Sequence, residues 1–115
     1  MRDDRARLID MVEAVTSIEK YAVFGKDRFF EDELVRTYII YQLQSLGEAA
    51  SKLSPALRTK HTEVPWPKVL GMRHVLVHDY FRVNYEIVGG VIEADLPPLK
   101  AQLQGILSEL TSPEQ

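Results

Sequence analysis

Residues 31–53 read EDELVRTYIIYQLQSLGEAASKL, and this stretch carries the strongest structural signal in the chain. Val35, Ile39, Leu43 and Leu46 recur at helical spacing, which predicts an amphipathic helix. Further apolar residues widen the stripe, and a stripe that wide packs against more than one neighbour. The widening residues are Leu34, Tyr38 and Tyr41.

Helices are also predicted directly before and after this stretch. The first runs from about Arg2 to Val23. A short one begins at Pro55, because Ser54 is a favourable N-cap residue and proline suits the first helical position. The inward stripe of the first helix consists of Leu8, Met11, Val12, Val15 and Ile18.

The C-terminal half predicts three more helical segments. One follows Pro65-Trp66-Pro67, and we expect the tryptophan in the core. The next is capped at Asn84 and contains Gly89-Gly90, which indicates either a close backbone approach or a broken helix. The last starts at Asp95-Leu96-Pro97-Pro98. The expected inward residues are, in order, Val69, Met72 and Leu76; Ile87, Val88, Val91 and Ile92; and Leu99, Leu103, Ile106, Leu107 and Leu110.

No segment alternates apolar and polar residues between hairpin turns, so the predicted fold is an all-α bundle of four to five helices. The 115 residues predict a single domain over 1–115. The absence of cysteine excludes disulfides and cysteine-ligated zinc. A formal net charge of −3 argues against a protein that coats long nucleic acid. We find no signal peptide or membrane span and expect a cytoplasmic protein.

The densest cluster of chemically useful side chains is Arg73-His74-Val75-Leu76-Val77-His78-Asp79-Tyr80, which holds two of the three histidines. A histidine titrates near neutral pH and can take the proton of an RNA 2′-hydroxyl, while an arginine stabilises charge on phosphate. On one continuous helix Arg73 and His78 point about 140° apart. A bend near His78 or a second subunit would bring them together.

These residues also have plainer interpretations. An arginine or histidine on a helix surface is usually solvated. In Gly47-Glu48, the glycine indicates a close backbone contact. Glu48 could orient Arg73, but a solvated glutamate is the simpler interpretation. His74 and His78 have zinc-site spacing, but no glutamate lies between them and no third ligand is evident. Tyr80 is either a stacking surface for a base or a hydrophobic anchor.

The pattern Arg73-x-x-x-x-His78-x-Tyr80 resembles the signature of HepT-like proteins, a branch of the HEPN superfamily. Relatives often carry asparagine after the motif arginine, where this chain has His74. Other segments resemble the same family in the same order along the chain. These are Leu46-Gly47-Glu48-Ala49-Ala50, then Val64-Pro65-Trp66 followed by Gly71-Met72-Arg73, and Leu96-Pro97-Pro98-Leu99.

The resemblance implies a homodimeric toxin that cleaves RNA, with Arg73 and His78 as catalytic residues and the motifs of both subunits in one cleft. It implies a type VII-like toxin–antitoxin system, whose antitoxin is a small nucleotidyltransferase that transfers AMP to Tyr80. A bulky anionic group there would repel RNA phosphate. His74 and Glu48 are expected as supporting residues. We expect no metal, no cofactor, no DNA partner and no membrane partner.

Two other functional classes stay open at this level. The chain is alternatively a non-catalytic subunit that holds a nucleotide or substrate for a nucleotidyltransferase, with Arg73 and His78 binding phosphate without bond cleavage. A plain dimeric scaffold is the third hypothesis.

Overall fold

The computed structural model describes residues 3–22, 32–78 and 89–111, apart from the side chains of residues 22, 74–78 and 111. All regular structure in these ranges is helical, which confirms the all-α class. The helices are α1 (Asp4–Ala22), α2 (Glu33–Ser51), α3 (Pro55–Lys60), α4 (Trp66–His78) and α5 (Leu96–Thr111), and a π-helical turn at Val91–Asp95 directly precedes α5.

The helix α2 makes extensive contacts with both α1 and α4, as its wide apolar stripe predicted. Asp32 caps its start, because the Asp32 carboxylate accepts hydrogen bonds from two backbone N–H groups of the first turn. The predicted stripe of Val35, Ile39, Leu43 and Leu46 is buried. Residues at helical spacing therefore place α2 at the centre of the packing.

The residues expected to widen this stripe behave differently. Leu34 is 82% exposed and Tyr41 is 60% exposed, so the prediction is wrong for both. They are seven residues apart and so share one outer side of α2. Tyr38 instead packs edge-to-face on Tyr21 of α1, with ring centroids 5.1 Å apart. An apolar residue on a helix does not by itself show whether a neighbouring element covers it.

All five helices of the described ranges contribute residues to the core, α3 through Leu57. The predicted inward residues of α1 are buried, with Val12 partly so. In α5, Leu110 stays 38% exposed, which makes that one prediction wrong. None of the helices in the described ranges is long and apolar enough to cross a membrane. Buried as predicted are Val69, Met72, Leu99, Leu103 and Ile106, with Val91, Ile92 and Leu107 partly buried, whereas Asn84, Ile87 and Val88 and the side chain of Leu76 lie outside the description.

The start of α1 is tied to the start of α3. The Asp4 carboxylate accepts hydrogen bonds from the Ser54 backbone N–H at 2.8 Å and from the Ser54 hydroxyl at 2.6 Å. Ser54 Oγ in turn accepts from the Leu57 N–H, which confirms Ser54 as N-cap with Pro55 in the first turn. Since α3 follows the end of α2, this contact makes α1 and α2 antiparallel.

Trp66 lies in the core, as expected from its position between two prolines. Its side chain is 6% exposed, and its indole Nε1–H donates to the His61 carbonyl oxygen at 2.9 Å. A buried indole needs such an acceptor, because an unpaired N–H in the core is costly. The contact holds the turn between α3 and α4 against the bundle.

The glycine pair before α5 does not mark a close approach at Gly90. A Cβ added to Gly90 would meet nothing within 4 Å, so a close approach is excluded at that position. Gly89 is buried, and the close-approach alternative stays a prediction for it. The backbone of Gly90 is helical, and the regular α-helical pattern gives way to the π-helical turn at Val91–Asp95. The second alternative, an interruption of the regular helix, is confirmed from Val91 onward.

The close contact predicted at Gly47 joins α2 to α4. A Cβ on Gly47 would lie 2.7 Å from both the Cβ and the backbone nitrogen of Arg73. Real Cβ atoms do not come so close to backbone, so only glycine allows the two helices to approach this far. This contact sets where Arg73 lies relative to α2.

We expect Gly47→Ala to destabilise the fold, because the new methyl group would push against the backbone of α4. The expected loss in the free energy of unfolding is about 1–3 kcal/mol, measured by urea denaturation. Gly105→Ala is the matched control, since a Cβ there meets nothing within 4 Å. It should stabilise the helix by about 0.5–1 kcal/mol. Equal effects of the two substitutions would contradict the packing assigned to Gly47.

Candidate active site at the crossing of α2 and α4

The contact at Gly47 brings the next residue of α2 against α4. Glu48 Oε2 lies 2.5 Å from Arg73 Nε, so the two side chains form an ion pair. The Arg73 side chain is 53% exposed and that of Glu48 is 43% exposed. Glu48 is therefore both partly solvated and paired, and its plainer interpretation as a merely solvated residue is incomplete.

A second cation shares the same carboxylate. Lys52 Nζ lies 3.4 Å from Glu48 Oε1, one helical turn further along α2. One carboxylate between two cations carries a net positive charge, which favours an anion nearby. Lys52 is not among the site residues that the sequence patterns predicted. Its spacing of four residues from Glu48 was the available signal, because such pairs meet on a helix surface.

The way in which Glu48 holds Arg73 matters for what the arginine can bind. The guanidinium is a rigid plane, so fixing the Nε edge also fixes the direction of the two terminal nitrogens. Glu48 contacts Nε, and within the described part of the chain Arg73 makes no second ion pair. The terminal fork matches two phosphate oxygens, and the half-exposed position leaves it open to solvent.

The backbone of α4 runs without interruption from Arg73 through His78. No break in the helix therefore brings the two residues together, and their directions differ by about 140° around the axis. The side chains of His74 and His78 and the whole of Asp79 and Tyr80 lie outside the described residues. Their assigned roles, including the zinc alternative for the histidines, stay predictions.

A helical bundle that carries an Arg-x-x-x-x-His motif on one helix is the arrangement that the resemblance to HEPN-type proteins predicted. The family model described as "Ribonuclease HepT-like" matches residues 11–106. The chain therefore belongs to the HepT-like family of ribonucleases.

Individual relatives cover most of the chain. A protein of Caldanaerobacter subterraneus subsp. tengcongensis that bears an RNase name is 35% identical over 92 residues, which is 80% of this chain and 82% of the relative. The protein of Thermococcus cleftensis named "Probable ribonuclease HepT" is 30% identical over 107 residues, 90% of this chain and 94% of the relative. No solved structure matches the chain significantly.

We expect the Glu48–Arg73 pair to direct the arginine without adding much stability. Ion pairs between half-exposed side chains are largely screened by solvent, so their coupling energy should stay below about 1 kcal/mol. The measurement is a double-mutant cycle with Glu48→Gln and Arg73→Gln, followed by urea denaturation at low and high salt. A coupling energy of several kcal/mol that salt leaves unchanged would contradict this prediction.

Proposed function

We propose that the chain is the toxin of a toxin–antitoxin pair and cleaves RNA internally without a metal ion. Arg73 binds the scissile phosphate and His78 is the general base. The observation that carries the proposal is the half-exposed arginine held at Nε by Glu48, with no second ion pair of Arg73 among the described residues. Membership of the HepT-like ribonuclease family supports RNA as the substrate.

The proposed reaction uses the ribose of the substrate as nucleophile. His78 takes the proton of the 2′-hydroxyl, the 2′-oxygen forms a bond to phosphorus, and the bond to the 5′-oxygen breaks. The departing oxygen takes a proton from water, and the products carry a 2′,3′-cyclic phosphate and a 5′-hydroxyl. The fork of Arg73 stabilises the charge on the phosphoryl oxygens. Glu48 and His74 have supporting roles.

A homodimer is part of the proposal, because one helix aims Arg73 and His78 apart. The exposed Leu34 and Tyr41 support it, since exposed apolar patches commonly mark interfaces. Glu48 follows Tyr41 by seven residues, so the exposed stripe leads along α2 directly to the Glu48–Arg73 pair. In an isologous dimer built on this stripe, Arg73 acts together with His78 of the partner subunit.

We expect the purified chain to cleave RNA in the presence of EDTA, and Arg73→Ala and His78→Ala each to slow cleavage by about 100-fold or more. The assay is gel analysis of end-labelled RNA. Lys20→Ala is the control, because Lys20 is an exposed cation at the end of α1 that packs near Tyr38, several turns of α2 before Glu48, and it should leave the rate unchanged. A His78→Ala variant as fast as the parent would refute the assignment.

Co-expression of the two inactive variants tests the shared site. If Arg73 acts with the His78 of the partner subunit, a heterodimer of Arg73→Ala and His78→Ala chains contains one intact site of two. Because about half of randomly assembled dimers are heterodimers, roughly a quarter of the parent activity should return. No recovery from a confirmed heterodimer would place both residues in one subunit. Nucleotide binding by a chain that cleaves no RNA would support the alternative of a non-catalytic nucleotide-binding subunit.

Regulation is proposed to act through AMP transfer to Tyr80 by the nucleotidyltransferase antitoxin, because a bulky anion added within the motif that contains Arg73 would repel RNA phosphate. Intact mass after co-expression with that enzyme should increase in AMP units and cleavage should stop. Tyr80→Phe should abolish the increase. Tyr38→Phe, which keeps the ring that packs on Tyr21 and removes only the hydroxyl, is the matched control and should leave the modification unchanged. Modification that persists in Tyr80→Phe would rule out this site.

A further inference from the structure

A groove of about 470 Å³ lies between α1 and α2, and its lining includes Glu48. It extends from Arg7 and Glu48 to Ser17 and Gln42, along the antiparallel helix pair. Its volume lies within the range of small-molecule sites, which is about 300–1,000 Å³. We call it the α1–α2 groove. It opens beside the residue that holds Arg73, so any ligand in it lies next to the candidate active site.

The groove exists because the helices meet through small side chains at this point. Ala14 and Ala49 are buried in its floor, 4% and 5% exposed. Ser17 and Ser45 add hydroxyl groups beside them. Short side chains between two helices leave a channel that longer residues on either side border.

The groove is lined by groups that can pair with the edge of a nucleobase. The amides of Gln42 and Gln44 each offer both a donor and an acceptor. Neither amide makes a hydrogen bond to another residue in the described part of the chain. Unstacked bases of single-stranded RNA are recognised by hydrogen bonds of this kind.

The charges separate a place for the base from a place for the phosphate. The groove lining carries more negative than positive charge, because it includes the carboxylates of Asp10, Glu13 and Glu48 and the guanidinium of Arg7. Its walls therefore disfavour an anion. Outside it, Arg73 and Lys52 share the Glu48 carboxylate and favour one. A nucleotide that placed its phosphate on these cations would direct its base into the neutral, hydrogen-bonding part of the groove.

We propose that the α1–α2 groove is a base-binding subsite of the ribonuclease and holds one nucleobase next to the scissile phosphate of a single-stranded RNA. The phosphate lies on Arg73 and Lys52, and Gln44 pairs with the base. The inference rests on the proposed function and adds a determinant of which RNA positions are cut.

The test measures binding separately from cleavage. In the His78→Ala background, Gln44→Leu removes the amide at similar size and keeps a strong helix former. Its affinity for a fluorescent single-stranded RNA should fall about tenfold. Gln104→Leu makes the same change at an exposed position of α5 and should bind like the parent. Circular dichroism and thermal unfolding check that both variants are folded. Ser17→Leu, which fills the groove, is an independent second variant and should also lower the affinity for the RNA.

An abasic scan then identifies the base. RNAs with a single abasic position should include one that weakens binding to the parent by a similar factor but has no further effect on Gln44→Leu. Equal binding by Gln44→Leu and Gln104→Leu would overturn the proposal. Dissociation of a dimer by Gln44→Leu, seen by light scattering, would assign the groove to the subunit interface and also overturn it. The proposed function is tested separately by the cleavage rate, and unchanged cleavage in Arg73→Ala would refute it. The base-binding subsite is tested by RNA affinity alone, so the two failures are distinguishable.

Discussion

The close contact between α2 and α4 at Gly47 is the constraint on which the candidate site depends. A Cβ on Gly47 would lie 2.7 Å from the backbone nitrogen of Arg73, so only the missing side chain lets the helices approach this closely. The next residue along α2 is Glu48, and the approach brings its carboxylate onto Arg73. A packing constraint in the core thereby determines the direction of the Arg73 side chain at the surface.

The electrostatics of the site are local. The chain as a whole has a formal net charge of −3, yet one carboxylate between Arg73 and Lys52 leaves an excess of positive charge at the crossing. Because these side chains are half exposed, their attraction contributes little to stability and much to orientation. In the proposed base subsite, an acidic groove beside a cationic pair would separate the base of a nucleotide from its phosphate, which bulk charge does not do.

The continuous helix α4 and the exposed side of α2 both favour a site that is shared between two subunits. A helix without a break from Arg73 through His78 keeps those residues apart in direction, so the proposed chemistry needs a second subunit. Leu34 and Tyr41 lie on the outer side of α2 that leads to Glu48. Exposed apolar surface of this kind gains free energy when another subunit covers it.

The sequence by itself determined the helices and most of the core, because burial at helical spacing and capping by Ser54 and Pro55 are local properties. It also indicated a close contact at Gly47 and chemistry at Arg73. Only the tertiary structure decided that Glu48 pairs with Arg73, that Lys52 joins them and that Leu34 and Tyr41 stay exposed. These outcomes depend on which faces of separate helices meet, and the spacing within one helix does not encode its neighbour.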